Sequence, residues 1–312
     1  QIRERTCYVQ LTPPKLPRPE LAGARIVWPG PHQIRMAGWK GDSAAWEPPS
    51  DEQVTQWAQM GVNLIVGGAN YFSGDYARPS QPEKIRHFLE TAHGFGIRVI
   101  PYVTTSDWDF SAPGYQEHAA DWMSSKNIEF ITETSLMCFG AEGWRDHVEA
   151  QCDTLLMNFP FDGLYVDNWF ITRHCTNARH GCAGYLGRYV TEGYHDFARR
   201  LRRVVARHTG GRGIMLFNTD NVSNSTSLAW FDLRLSGENN DPLRLAGETV
   251  LSTWNGKRQG VQSVAMWREN QDPLDMVNFC ARYGFSFRLL GGRRDADMVG
   301  SCAAAASPDT PM

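Results

Sequence analysis

Asp167 closes an apolar run, FDGLYVDNWF over residues 161–170. A carboxylate leaving an apolar strand must be solvated, paired or held ready for chemistry. Strand alternation sends Tyr165 and Asp167 to one face and Leu164 and Val166 to the other, which suits a group aimed at a reaction centre. Its natural partner is Glu238 in RLSGENND, residues 234–241, where Gly237 lets the backbone turn sharply. Two carboxyl groups across one bond can cleave it, one protonated to donate and one ionised to attack or to activate water. The other acidic groups have simpler explanations beside the chemical one. Asp220 precedes Asn221, as a turn or cap requires, and Glu269 stands beside Arg268, as an ion pair requires. Asp107 and Asp109 are expected to cap the next helix or to make turns.

The residues around this pair are the second signal. Trp39 and Lys40, Tyr102, Asn168 and Trp169, Asn218 and Asp220, and Trp267 and Glu269 all fall at the ends of expected strands. Aromatic faces stack on the C–H surfaces of a pyranose, and amides and carboxylates match its hydroxyls. An oligosaccharide, a polysaccharide or a glycoconjugate is therefore the expected partner, bound in a pocket rimmed by Trp39, Tyr102, Trp169 and Trp267.

Eight β-rich runs, at 34–39, 62–68, 97–103, 163–169, 213–219, 231–237, 261–267 and 285–290, alternate with amphipathic stretches. That order predicts a parallel α/β fold, and eight strands predict a single (β/α)8 TIM barrel with its site at the C-terminal strand ends. Helices are expected over 50–61, where Ser50 and Gln53 form a capping box, and over 82–96, 144–159, 184–211, 242–254 and 272–284. A long insertion follows strand three, over 106–143, as a subdomain or site wall. The expected organisation is an irregular N-terminal segment over 1–29, a barrel over 30–295 and a flexible Ala/Pro tail over 296–312.

Composition narrows the class. The 312 residues are 42% hydrophobic and 21% charged, enough to bury one large core. A net charge of -3 with a pI near 6.3 gives no polyanion-binding field, so nucleic acid is not an expected partner. Arg199, Arg200, Arg202 and Arg203 read as the solvated face of a helix. No apolar run reaches the roughly 18 residues of a membrane span, and two glycosylation sequons, at Asn221 and Asn224, lean toward secretion. No Walker loop or dinucleotide fingerprint appears, so no cofactor is expected, and no metal site is expected. HCTNARHGC, residues 174–182, sets two Cys and two His within nine residues. A Cys175–Cys182 disulfide, free thiols and a metal clip all fit that spacing, with the disulfide favoured because zinc motifs usually space Cys pairs by two to four residues.

The phrase DGLYVDNWF resembles the strand-four segment of retaining glycoside-hydrolase barrels, notably the α-galactosidase clan and the endo-α-N-acetylgalactosaminidase-like barrels. The resemblance covers the order of elements and this one motif. It implies a glycosidase with Asp167 as nucleophile and with Glu238 first, and Asp220 second, as acid/base one or two strands later. Two other readings use the same residues: a carbohydrate-binding barrel without catalysis, and a metal-assisted hydrolase. Sugar, anomer and linkage are not written in the sequence.

Overall fold

The computed structural model describes residues 15–29, 48–67, 75–79, 81–124, 134–167, 174–182, 188–218, 229–236, 260–266, 280, 282 and 286–290. Among the described residues, nine strands form one parallel sheet: β1 (Arg25–Trp28), β2 (Leu64–Val66), β3 (Arg98–Ile100), β4 (Tyr102–Thr104), β7 (Gly163–Asp167), β10 (Ile214–Asn218), β11 (Leu233–Ser236), β12 (Gln262–Met266) and β13 (Ser286–Leu290). Their order is β3-β2-β1-β13-β12-β11-β10-β7-β4. Its first and last members, β3 and β4, are separated in sequence only by Pro101. Strands β7 and β10 are buried at all positions, as parallel strands covered on both sides must be.

Helices lie between the strands: α1 (Asp51–Gln59), α2 (Pro82–Gly94), α3 (Tyr115–Trp122), α4 (Glu142–Asn158) and α5 (Thr191–Thr209). The expected capping box closes α1, with Ser50 accepting from the Gln53 amide and the Gln53 side chain accepting from the Ser50 amide. Tyr194, Phe197, Ala198, Leu201, Val204 and Val205 form the buried stripe of α5, recurring at the helical period. Among the described residues, no helix is long and apolar enough to cross a membrane.

Three placements differ from the sequence reading. The strand beside β2 is β1, inside the stretch expected to be irregular, where Ile26 and Val27 pair with Leu64 and Ile65; the run at 34–39 lies outside the described residues. The helix expected from residue 184 begins at Thr191, because Arg188 and Tyr189 form β9 and pair with β8 (His174–Cys175). The paired arginines also do more than meet solvent. Arg200 bridges α5 to α4 through Asp146 and Glu149, Arg199 pairs with Asp196, and Arg202 reaches the buried Asp232. The expected helices over 242–254 and 272–284 fall on residues that are, but for 280 and 282, outside the description.

Asp162, just before β7, fastens this strand to its neighbours. Its carboxylate accepts from the Val99 amide at 2.7 Å and from His93 Nε2 at 2.9 Å. The hydrogen bond to Asp162 raises the His93 pKa against the opposing effect of burial. A raised folded-state pKa stabilises the fold fully below the ordinary value and loses that contribution as pH rises through the folded value. The stability gap between wild type and His93→Gln is therefore expected to be widest below the ordinary histidine pKa and to shrink as pH rises through the raised value. Denaturant titrations at several pH values check this, and a gap independent of pH would refute it. Because His93 is a third exposed, the gap is modest.

The insertion after β4 contains β5 (Asp107–Asp109), α3 and β6 (Thr134–Leu136), with β5 and β6 antiparallel. Trp108 anchors it, fully buried and stacked on Trp122 at 5.1 Å with Trp144 at 5.3 Å.

Candidate active site

Asp167 is the last residue of β7, at the C-terminal edge of the parallel sheet, and is buried at 9% exposure. The approach of β7 to β10 requires a glycine at its start: a Cβ on Gly163 would lie 1.8 Å from the Ile214 carbonyl oxygen. Tight pairing at the base of the strand fixes the height of the carboxylate at its top.

Tyr102 in β4 donates its hydroxyl hydrogen bond to Asp167 Oδ2. Its ring packs edge-on against Tyr165 at 5.2 Å and stacks on Trp28 at 5.9 Å. Tyr165 and Asp167 thus meet the same tyrosine, as strand alternation requires of residues two apart. Burial first, and then the charge of Asp167, push the Tyr102 pKa well above its ordinary value. The phenol therefore keeps its proton and remains a donor, which favours the ionised form of the carboxylate it contacts. Tyr102, expected on the pocket rim, is only 1% exposed and holds Asp167 through its hydroxyl.

A second carboxylate, Asp107, reaches the same edge. Thr104 is the ladder partner of Asp167, and its hydroxyl donates to Asp107 Oδ2 at 2.8 Å, joined by Ser106 at 3.1 Å. Residues paired in a parallel ladder project to the same face, so Asp107 lies on the Asp167 side of the sheet. The sequence reading gave Asp107 a turn role. It gave Asp109 the same role, and there the structure agrees: Asp109 accepts from the amide and hydroxyl of Ser111 at 2.7 and 2.6 Å. Only the link through Thr104 separates the two, and no local pattern reveals it.

Asn218, at the end of β10, is buried at 5% exposure. The β7–β10 ladder pairs Phe217 with Val166, which sets Asn218 level with Asp167. Of the expected site residues the structure thus brings Asp167, Tyr102 and Asn218 to one edge of the sheet. Trp39, Lys40, Asn168, Trp169, Asp220, Glu238, Trp267 and Glu269 lie outside the described residues.

Cys175 and Cys182 do not form the favoured disulfide with each other. Each faces a different partner: Cys175 Sγ lies 3.4 Å from His180 Nε2, and Cys182 Sγ lies 3.9 Å from the sulfur of Cys138. Cys138 follows β6, too far along the chain for spacing to connect it with the 174–182 segment.

A parallel sheet alternating with helices, with polar groups at its C-terminal edge, also occurs in solved glycoside hydrolase domains. The same fold occurs in a GH36 α-galactosidase of Geobacillus stearothermophilus solved with stachyose, at 12% identity and a TM-score of 0.60 over 93% of this chain and 43% of that one. It also occurs in a maltogenic α-amylase of Thermotoga neapolitana, at 11% identity and a TM-score of 0.60 over 89% and 69% of the two chains. An α-L-fucosidase of Paenibacillus thiaminolyticus matches at 14% and 0.60 over 82% and 46%. The chain spans less than half the length of the α-galactosidase. Its own family is the domain of unknown function DUF6259, whose model matches residues 55–247, and the chain belongs to it. No curated protein sequence matches this chain.

Proposed function

We propose that this protein is a glycoside hydrolase of the retaining kind, with Asp167 as nucleophile and Glu238 as acid/base. The observation that carries the reading is the hydrogen bond from Tyr102 to Asp167 at the C-terminal edge of the sheet. A nucleophilic carboxylate must be ionised when substrate arrives, and a buried phenol that keeps its proton supports that state. The strand order supports a closed (β/α)8 barrel in which 98–104 is one strand interrupted at Pro101, pairing with β2 before the proline and with β7 after it. Closure of this kind sets Tyr102 at the seam, next to Asp167. Sugars bound by structural neighbours, such as stachyose, support a carbohydrate substrate.

In this mechanism Asp167 attacks the anomeric carbon while Glu238 protonates the departing oxygen; Glu238 then deprotonates the water that releases the sugar. Glu238→Gln is expected to spare aryl glycosides with good leaving groups and to slow those with poor ones by about 10²–10⁴-fold. A panel of aryl glycosides in both anomeric configurations tests the whole reading. Equal slowing across leaving groups would remove Glu238 from the acid role, and sugar binding without any cleavage would make the chain a carbohydrate-binding barrel.

A further inference from the structure

Four ligand-type side chains converge away from the carboxylates. The sulfurs of Cys138, Cys175 and Cys182 and a ring nitrogen of His180 all lie within 4.8 Å of one another, and the three cysteines are buried. From the convergence of these four groups we propose that they bind a single structural zinc ion, in a Cys₃His site that fastens the chain segment after β7 to the segment after β6.

Two of the six edges match those of one tetrahedral ion. With Zn–S near 2.3 Å and Zn–N near 2.0–2.1 Å, a tetrahedron has S···S edges of about 3.8 Å and S···N edges of about 3.5 Å. The Cys138–Cys182 separation is 3.9 Å and the Cys175–His180 separation is 3.4 Å. Three thiolates and a neutral imidazole form a soft, closed donor set of the type that structural zinc sites use.

The surroundings are arranged for metal ligands. His180 Nδ1 lies 2.7 Å from the Asp121 carbonyl oxygen. That contact places the ring proton on Nδ1 and leaves the Nε2 lone pair directed at the sulfurs, as a ligating histidine requires. The Gly140 amide donates to Cys138 Sγ at 3.3 Å, and the Asn177 amide donates to Cys175 Sγ at 3.4 Å. Amide donors two residues beyond each cysteine stabilise sulfur that carries negative charge. Gly140 also leaves necessary room, because a Cβ there would lie 2.9 Å from Cys182 Sγ. The ligand segment is positioned by the protein itself: Asn177 donates to the Met123 carbonyl at 2.8 Å, and Arg179 pairs with Asp121 at 2.9 Å. A cavity of about 310 Å³ borders the site at Gly140 and Cys182.

On binding, the three thiols release their protons to solvent and their sulfurs donate electron pairs to Zn²⁺; no oxidation is involved. The ion joins the insertion after β4, which holds Cys138, to the excursion that begins after Asp167. This inference does not depend on the glycosidase reading.

Full-length protein produced with zinc in the medium and exhaustively dialysed is expected to retain about one zinc per chain by elemental analysis. Replacing the zinc with Co²⁺ should give thiolate-to-metal charge-transfer bands and the intense visible bands of a tetrahedral ion. Cys138→Ser combined with Cys175→Ser should abolish both signals, His180→Cys should keep the metal, and Cys280→Ser should change nothing. Wild-type protein without zinc and without a tetrahedral Co²⁺ spectrum would overturn the proposal, as would zinc retained in the double variant. A disulfide among Cys138, Cys175 and Cys182 in freshly purified, unreduced protein would overturn it too. The wild-type measurements decide the matter even if the double variant fails to fold.

Discussion

Asp167→Asn is expected to abolish glycoside turnover, by roughly 10⁴-fold or more, while leaving sugar binding within a few-fold of wild type. The amide preserves the shape of the carboxylate and can still accept from Tyr102, but it cannot attack carbon. Tyr102→Phe separates positioning from attack. It removes the donor that holds the carboxylate ionised, so the acidic limb of the pH–rate profile should move to higher pH, with a smaller loss of rate. Turnover and sugar binding measured on both variants distinguish these outcomes. Wild-type rates in Asp167→Asn would withdraw the nucleophile assignment, and an unmoved acidic limb in Tyr102→Phe would withdraw the role given to the phenol.

The largest effect on stability is expected at Asp232, which performs no chemistry. This buried carboxylate bonds Arg202 at 2.6 Å and Lys15 at 3.0 Å, approaches Arg18 at 3.6 Å and accepts from the Met215 amide at 2.9 Å. It thereby ties the segment before β1 and helix α5 to the base of β10 and β11. Burial alone would raise its pKa, but the charges of Arg202 and Lys15 hold it below the ordinary carboxylate range. Asp232→Ala leaves those cations facing one another across a buried site and is expected to cost about 3–5 kcal/mol at neutral pH. A depressed folded-state pKa stabilises above the unfolded value near 3.9 and loses that contribution as pH falls through the folded value. The difference between wild type and variant should therefore shrink in acid. Urea unfolding at neutral pH and near pH 3 measures both, and a loss below about 1 kcal/mol at neutral pH would show that the site relaxes or takes up water.

The sequence revealed periodicity and local capping well, and long-range convergence poorly. Strands β2, β7, β10, β11, β12 and β13 fall within runs marked by apolar residues and turn signals, and the capping box of α1 was legible from two residues three apart. β1 was missed because RIVW is short and follows a Pro-rich entry; its identity depends on ladders to β2 and β13. Asp167 was legible because its neighbours alternate. Asp107 was not, because its placement depends on a hydroxyl of Thr104, whose partner in the sheet is Asp167. Local spacing likewise suggested pairing Cys175 with Cys182, while the third sulfur comes from another element of the fold.

The pairing of Arg25 with Phe287 has a consequence for how the chain is made. During synthesis β1 finds β2 early, but its other edge waits for the last strand of the sheet to leave the ribosome. Until then a row of unpaired backbone donors and acceptors is exposed, the kind of edge to which a second nascent chain can add. Burying that edge requires one of the most distant contacts among the described residues, so completion of the sheet is slow and waits for β13. Any truncation that removes β13 leaves β1 as an open template for aggregation, even though every earlier strand is present.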